Sequence, residues 1–139
     1  MQWSRSKIKM TIEIGMTGSK TAVVTPTLSA DVMGSGSIAT YATPAMLALM
    51  EGAAASAIEE AAGEGNTSVG TFVELHHVAA TPLGANVRAE ATVIAVDGRK
   101  VRFEITAYDE HEQIGKGEHV RFVVSRQRFV ERLAKKEAA

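Results

Sequence analysis

The chain has 139 residues, enough for one domain with a core and too few for two ordinary domains. Its 45% hydrophobic and 22% charged residues are typical of a soluble globular protein and exclude a disordered chain. The net charge of −1 and the interspersed acidic and basic residues indicate neither nucleic acid nor a membrane surface as a partner. No cysteine is present, which excludes disulfides and thiolate metal sites and fits a cytoplasmic location.

The two ends of the chain are predicted to be extensions of a single domain. Residues 1–10 are basic but carry no apolar segment, so we expect a loose amino-terminal extension rather than a secretory signal. No apolar run reaches the roughly 18 residues of a membrane span. Residues 131–139, ERLAKKEAA, are predicted to form a charged carboxy-terminal tail. The domain itself is expected to cover residues 11–130.

The amino-terminal part of the domain is predicted to be extended. Residues 11–16, TIEIGM, have strand character, and the glycine and serine at 18–19 predict a turn. The following TAVVTPTL predicts a second extended segment, which Pro26 ends or confines to a sheet edge. Residues 30–40 are rich in glycine and small hydroxyl residues and are predicted to form a mobile loop.

A long helix is predicted from Thr43 to Gly63. Thr43 can act as the N-cap, Pro44 suits the first helical position, and Gly63 can end the helix in a left-handed conformation. The spacing of i, i+3 and i+4 produces one apolar face, composed largely of alanine, from Met46, Leu49, Met50, Ala53, Ala57 and Ala61.

Glu51 is the unusual residue of this helix. It lies on a second stripe with Leu47, Ala54 and Ile58, where a solvated carboxylate is not expected. We therefore predict that its carboxylate is partly desolvated and has a functional role.

Four strands are predicted after the helix. Residues 71–79 and 87–95 alternate polar and apolar side chains, and Asp97-Gly98 is a hairpin signal that joins the second of these strands to residues 101–107. A last strand is predicted from Ile114 to about Phe129. Short connections favour an antiparallel meander, whose apolar face and that of the helix can only cover each other. We predict an α+β hot-dog fold: a curved antiparallel sheet of about five strands wrapped around one long central helix.

Two adjacent histidines are separated by the strand alternation. His77 shares the face of Val73 and Leu75, which must meet the helix, whereas His76 faces outward with Glu74. An isolated inward histidine is more often a core residue bonded to the backbone.

A glutamate at the same interface favours a functional pair, because histidine is the usual general base near neutral pH and a carboxylate can orient it or attack directly. Thr43 lies beside the helix N-terminus, where anions are stabilised. His111 and His119 are predicted to be solvated. No zinc-site spacing, phosphate-loop pattern or G-x-S-x-G motif is present, so no metal is predicted.

Three segments carry a family resemblance: TPAMLALMEGAA, SVGTFVELHHVAATPLG and VDGRKVRFEITAYDEHEQIGKGEHVR. Over roughly Thr43 to Phe129 the chain resembles the fluoroacetyl-CoA thioesterase-like family of hot-dog fold thioesterases. The resemblance implies a homodimer or a dimer of dimers, with sites at the subunit interface and no cofactor beyond the coenzyme A of the substrate. It also implies a catalytic set and two substrate-binding residues, here Thr43, Glu51 and His77, with Gly70 and Arg121.

The predicted function is an acyl-CoA thioesterase that hydrolyses a small or short-chain acyl thioester to free acid and CoA. Glu51 would act as nucleophile or as the base that activates water, and His77 would carry the proton. The fluoroacetyl-specific enzyme has phenylalanines before the threonine, whereas Tyr41 is the only aromatic in residues 30–42 here. The resemblance thus implies thioester hydrolysis and leaves fluoroacetyl selectivity open.

The alternative is a non-catalytic acyl-CoA-binding hot-dog module, a sensor or carrier, which needs the pocket but not the glutamate and histidine. A third possibility, a hot-dog dehydratase, would require a hydratase motif with a close aspartate and histidine, which is absent.

Overall fold

The computed structural model describes residues 10–138, which form one antiparallel sheet around a central helix. All neighbouring strands are antiparallel, in the order β1-β3-β4-β5-β2, so β1 and β2 are the edges. The predicted α+β hot-dog architecture is confirmed. The elements are β1 (Thr17–Val23), a 3-10 turn (Pro26–Leu28), α1 (Ala30–Met33), α2 (Thr43–Ile58), β2 (Asn66–His77), β3 (Asn86–Asp97), β4 (Lys100–Tyr108), β5 (Gln113–Ser125) and α3 (Arg126–Ala138).

The core lies between α2 and the concave face of the sheet. The faces predicted for β3 and β4 are correct, because Val87, Ala89, Val101 and Phe103 are all buried. In β2 the prediction is wrong for Val73, which was expected to meet the helix but is exposed. On the helix, however, the buried face is rotated from the predicted one toward the stripe that carries Glu51. The buried helix residues are Ala45, Met46, Met50, Ala53, Ala54 and Ile58.

The first strand departs from the prediction. The expected turn at 18–19 is wrong, because Gly18 and Ser19 lie inside β1 and pair with Ala91 and Glu90 of β3. The chain turns earlier, at Gly15, whose φ is 98°. A Cβ atom at Gly18 would overlap the Ala53 carbonyl oxygen. Glycine therefore lets β1 approach the helix backbone closely. The glycine is required by tertiary packing, although in the sequence it looks like a turn residue.

The helix ends also differ from the prediction. Ala42 is the N-cap and Thr43 is the first helical residue, so Thr43 is not the N-cap that the sequence suggested. The regular helix stops at Ile58, and Gly63 follows after further turns with a φ of 97°. The Thr43 hydroxyl is consequently free for a tertiary contact.

The carboxy-terminal segment is helical. β5 ends at Ser125 rather than near Phe129, and α3 begins at Arg126. The Ser125 hydroxyl accepts a hydrogen bond from the Arg128 backbone N–H at 3.4 Å, as an N-cap does, and the residues that follow are mostly good helix formers. Residues 1–9 of the predicted amino-terminal extension lie outside the described residues. In residues 10–138, no helix has the length and apolar character needed to cross a membrane.

Candidate active site

A β-bulge in β2 determines which of its side chains face the helix. Gly70 pairs with Arg121 and Phe72 with Val120, so Thr71 is an extra residue in the ladder. Uniform alternation would put Gly70 on the outer face with Phe72. The bulge instead turns Gly70 inward while His77, further along, also faces inward, and bulges commonly re-aim side chains next to functional sites. The inward position of Gly70 therefore could not be derived from the strand pattern.

Thr43 and His77 form a direct pair. The Thr43 Oγ1 and the His77 Nδ1 lie 2.7 Å apart. The His77 Nε2 is buried and has no hydrogen-bond partner within residues 10–138. Burial lowers the pKa of His77 below its ordinary value of 6.5, and the Ala79 backbone opposes this shift. When Nδ1 carries the proton and donates it to Thr43, the Nε2 lone pair is free to accept another proton.

A cavity of ≈ 380 Å³ opens beside this pair. Its walls come from α1 and the segment before α2, including Ser35, Thr40 and Tyr41, and from residues 78–80 after β2. Tyr41 is almost completely buried, and desolvation raises its pKa to about 12, so the phenol stays neutral. The region predicted as a mobile loop thus forms one wall of the cavity.

Glu51 lies elsewhere on the helix, about 12 Å along the axis from Thr43. Its side chain is 41% exposed, and its Oε2 is 4.0 Å from the Nε2 of His119. A Cβ atom at Gly70 would lie 2.8 Å from the same carboxylate oxygen, so only glycine leaves this space open. Within the described part of the chain, no hydrogen bond or ion pair joins Glu51 to His77. One chain therefore brings Thr43 and His77 together but leaves Glu51 apart from them.

Arg121 is held by a buried network beside Gly70. Its Nε donates to the Ser68 hydroxyl at 2.7 Å, and its Nη2 donates to the Ser68 carbonyl at 2.9 Å. Its Nη1 lies 3.2 Å from the His119 Nε2. Burial lowers the pKa of Arg121, and the negative charge of Glu51 opposes the shift. A guanidinium remains charged under these conditions, so the network presents a fixed positive charge at Gly70.

His119 is the residue that sequence reasoning missed. It was predicted to be solvated, but it is 1% exposed, and its Nδ1 donates to the Phe72 carbonyl at 2.8 Å. The signal was present in β5, where exposed Lys116 and Glu118 alternate with inward residues. His111 is exposed, as predicted. Among residues 10–138, no group of three or more His, Asp or Glu side chains is arranged to hold a metal ion.

The antiparallel sheet curved around one alanine-rich helix is the hot-dog fold, which solved thioesterase structures share. The family profile described as fluoroacetyl-CoA-specific thioesterase (FlK) matches residues 24–127. The chain belongs to this family.

Individual relatives agree with the assignment. The fluoroacetyl-CoA thioesterase of Streptantibioticus cattleyicolor is 34% identical over 99 residues, which cover 71% of each chain. A crystal structure of the fluoroacetyl-CoA thioesterase FlK is similar with a TM-score of 0.83 at 28% identity, covering 91% of this chain and 98% of that one. A Thermus thermophilus protein of the thioesterase superfamily gives a TM-score of 0.82 at 28% identity, covering 93% and 98%.

Proposed function

We propose that the protein hydrolyses a small or short-chain acyl-CoA thioester to the free acid and CoA, with Thr43, Glu51 and His77 as its catalytic residues. The observation that carries the proposal is the 2.7 Å contact between Thr43 and His77, which leaves a buried, unpaired Nε2. Buried polar atoms normally have partners, and exceptions are common at functional sites. Family membership supports the same reaction class.

The roles follow from the chemistry of the groups. In the water route, the proton that the attacking water loses passes through His77 to the departing CoA thiolate. In the covalent route, the Glu51 carboxylate attacks without losing a proton, and His77 takes up a proton from the water that cleaves the anhydride and passes it to the CoA thiolate. Glu51 either attacks the thioester carbon, forming an anhydride that water then cleaves, or activates the water directly. The Gly70 N–H and the Arg121 charge stabilise the negative oxygen that develops on the thioester carbon. Single turnover in heavy-oxygen water distinguishes the routes, because only the covalent route transfers the label into Glu51.

The cavity supports a small acyl group. A volume of ≈ 380 Å³ beside His77 suits a short acyl chain and the end of the pantetheine arm. Related FlK variants have been crystallised with acetyl-CoA and with fluoroacetate and CoA, which supports a short acyl group here. CoA enters as part of the substrate and no separate cofactor is required. Residues 30–42 contain Tyr41 as their only aromatic residue, so we do not extend fluoroacetyl selectivity to this chain.

The separation of Glu51 from His77 supports a homodimer. β2 is a twelve-residue edge strand, and Phe72, Val73 and Val78 expose apolar side chains in and just after it. An unpaired edge is a template for another strand. Antiparallel pairing of two β2 strands, centred between Val73 and Glu74, would set His77 of one chain opposite Gly70 of the other. Each site would then combine Glu51 of one chain with Thr43 and His77 of its partner.

A complementation experiment tests the shared site. Glu51→Gln and His77→Ala chains are each expected to be inactive alone. After unfolding and refolding together, about half of the dimers are mixed and each mixed dimer has one intact shared site. Recovery of about a quarter of wild-type activity supports the proposal. No recovery, with mixed dimers verified by mass spectrometry, would mean that each chain holds its own site.

The first assay is thiol release from a panel of acyl-CoA esters of increasing length. Turnover that is fastest with the short esters supports the enzyme. Binding of every ester without thiol release would favour the acyl-CoA-binding module instead.

Light scattering reports assembly against the chain mass of 14.7 kDa, and a stable monomer would contradict both the dimer and the interface site. The absence of cysteine leads us to infer a cytoplasmic location.

A further inference from the structure

The two nitrogen atoms of His119 have different partners. Nδ1 must carry a proton, because the Phe72 carbonyl 2.8 Å away can only accept a hydrogen bond. In the neutral ring Nε2 is then an acceptor, and Arg121 Nη1, a donor only, lies 3.2 Å from it. Burial lowers the pKa of His119, which keeps the ring neutral and so preserves this pattern.

His119 also stands between two opposite charges. Its Nε2 is 3.2 Å from Arg121 Nη1 and 4.0 Å from Glu51 Oε2. No ion pair joins Arg121 to Glu51 in the described range 10–138. Arginine and carboxylate groups that can reach each other tend to form bidentate pairs, which would occupy both groups. Here the imidazole engages the arginine nitrogen that lies toward the carboxylate.

Gly70 lies where the side chains of Glu51, His119 and Arg121 approach one another. A Cβ atom there would lie 2.8 Å from Glu51 Oε2, 3.0 Å from His119 Cε1 and 3.4 Å from Arg121 Nη1. All three side chains therefore converge on one small opening that Gly70 leaves free. An Arg121–Glu51 ion pair would close this opening and neutralise the positive charge there.

We infer that His119 is a positioning residue that holds the Arg121 guanidinium through Nε2 and keeps it from pairing with Glu51. The inference rests on the proposed function, in which Glu51 and Arg121 act on the thioester as separate groups. In residues 10–138, His119 makes no hydrogen bond to Glu51, so it would act through Arg121. Its contribution is to keep the carboxylate available and the positive charge fixed at Gly70.

Two substitutions of His119 test the roles of its Nδ1 and Nε2 atoms separately. His119→Asn places an amide N–H where Nδ1 lies, so it can keep the bond to the Phe72 carbonyl, but it lacks an acceptor at the Nε2 position. His119→Gln is longer, and its amide oxygen can accept from Arg121. We expect His119→Asn to lower kcat about tenfold or more, with a smaller change in KM, because a hydrogen bond to a charged group is lost. His119→Gln should recover most of kcat. Lys116→Gln, an exposed change on the same strand, is the control.

A merely structural role would give a different result. If His119→Asn and His119→Gln lost activity equally and in proportion to a fall in Tm, the positioning role would be overturned. Unchanged kcat in a stable His119→Asn variant would overturn it as well.

A crystal structure of His119→Asn tests the inference without relying on turnover. We expect Arg121 Nη1 to move to within 4 Å of the Glu51 carboxylate. A guanidinium that stays on Ser68 and apart from Glu51 would overturn the inference, whatever the activity. A wild-type protein that hydrolyses no acyl-CoA ester would instead refute the proposed function, and the crystal structure would still decide whether His119 spaces the two charges.

Discussion

The two inward-facing histidines of this protein lie in opposite chemical settings. His119, in the middle of the sheet, uses both ring nitrogens in hydrogen bonds and is shielded from solvent. His77, at the end of β2, uses one nitrogen, and its other nitrogen is buried beside a cavity with no hydrogen-bond partner among residues 10–138. An unsatisfied buried nitrogen destabilises the fold, whereas a saturated one does not. This difference supports the proposals that His77 transfers protons and that His119 positions other groups.

Glu51 lies in the part of the structure that contains His119, but in the proposed reaction it acts together with His77. Its carboxylate faces Gly70, His119 and Arg121, whereas in the proposed reaction His77 carries the proton. Pairing of two β2 edges would join the regions across a subunit interface. Substitution of either histidine, or of the carboxylate between them, therefore tests whether the two regions differ in function.

The largest effect is expected for Glu51→Gln. The amide keeps the shape but can neither attack the thioester nor accept a proton, so we expect turnover to fall by about a thousandfold or more while acyl-CoA still binds. The Tm should not fall, because Glu51 makes no hydrogen bond within residues 10–138 and loses only a partly desolvated charge. Thiol release and thermal melting are measured on the same preparations. A variant that melts normally and hydrolyses at the wild-type rate would remove Glu51 from the mechanism.

The next effect concerns the two adjacent histidines of β2. His77→Ala removes the unpaired base, and we expect a loss of about a hundredfold or more. His76→Ala is the matched control. Because His76 is exposed on the opposite face of the strand, this variant should hydrolyse the substrate at nearly the wild-type rate. Steady-state thiol release measures both. Equal losses from the two variants would contradict the strand register, in which His76 pairs with Lys116 and His77 with Gly115.

A smaller effect is expected for Thr43→Val. Valine keeps the volume and branching of threonine but removes the hydroxyl that contacts His77 Nδ1. The loss of one hydrogen bond to the base should lower kcat about tenfold. Thr43→Ser retains the hydroxyl and should remain close to wild type. If valine and serine behaved alike, the hydroxyl would have no role in orienting His77.

The smallest effect is on stability at acidic pH. Burial lowers the native pKa of both His77 and His119 below the ordinary 6.5 of the unfolded chain. Below about pH 6.5 the unfolded state binds protons that the native state does not, so stability is lost as pH falls toward the native pKa values. We expect Tm to decrease by a few °C over this window, and less steeply in His119→Gln. His76→Ala should keep the wild-type slope. A Tm that rises on acidification through this window would contradict the assignment.

Local sequence patterns were sufficient for much of the fold. The alternation in β3 and β4, the Asp97-Gly98 hairpin and the long alanine-rich helix all correspond to what the structure contains. Local patterns misassigned positions where a distant element decides the outcome. Gly18 is required by the approach of α2, and the Thr43 hydroxyl contacts a strand residue instead of capping its own helix.

The candidate site also has features that local sequence patterns predicted and features that only tertiary contacts decide. The sequence identified Glu51 as a misplaced carboxylate and His77 as an inward imidazole, because helix and strand periodicity determine which face a side chain shares. It could not identify the partners of these groups. The bulge at Thr71, the bond from His119 to the Phe72 carbonyl and the Ser68 contacts of Arg121 depend on how β2 pairs with β5. That pairing joins residues about fifty positions apart, and no local period in the chain encodes it.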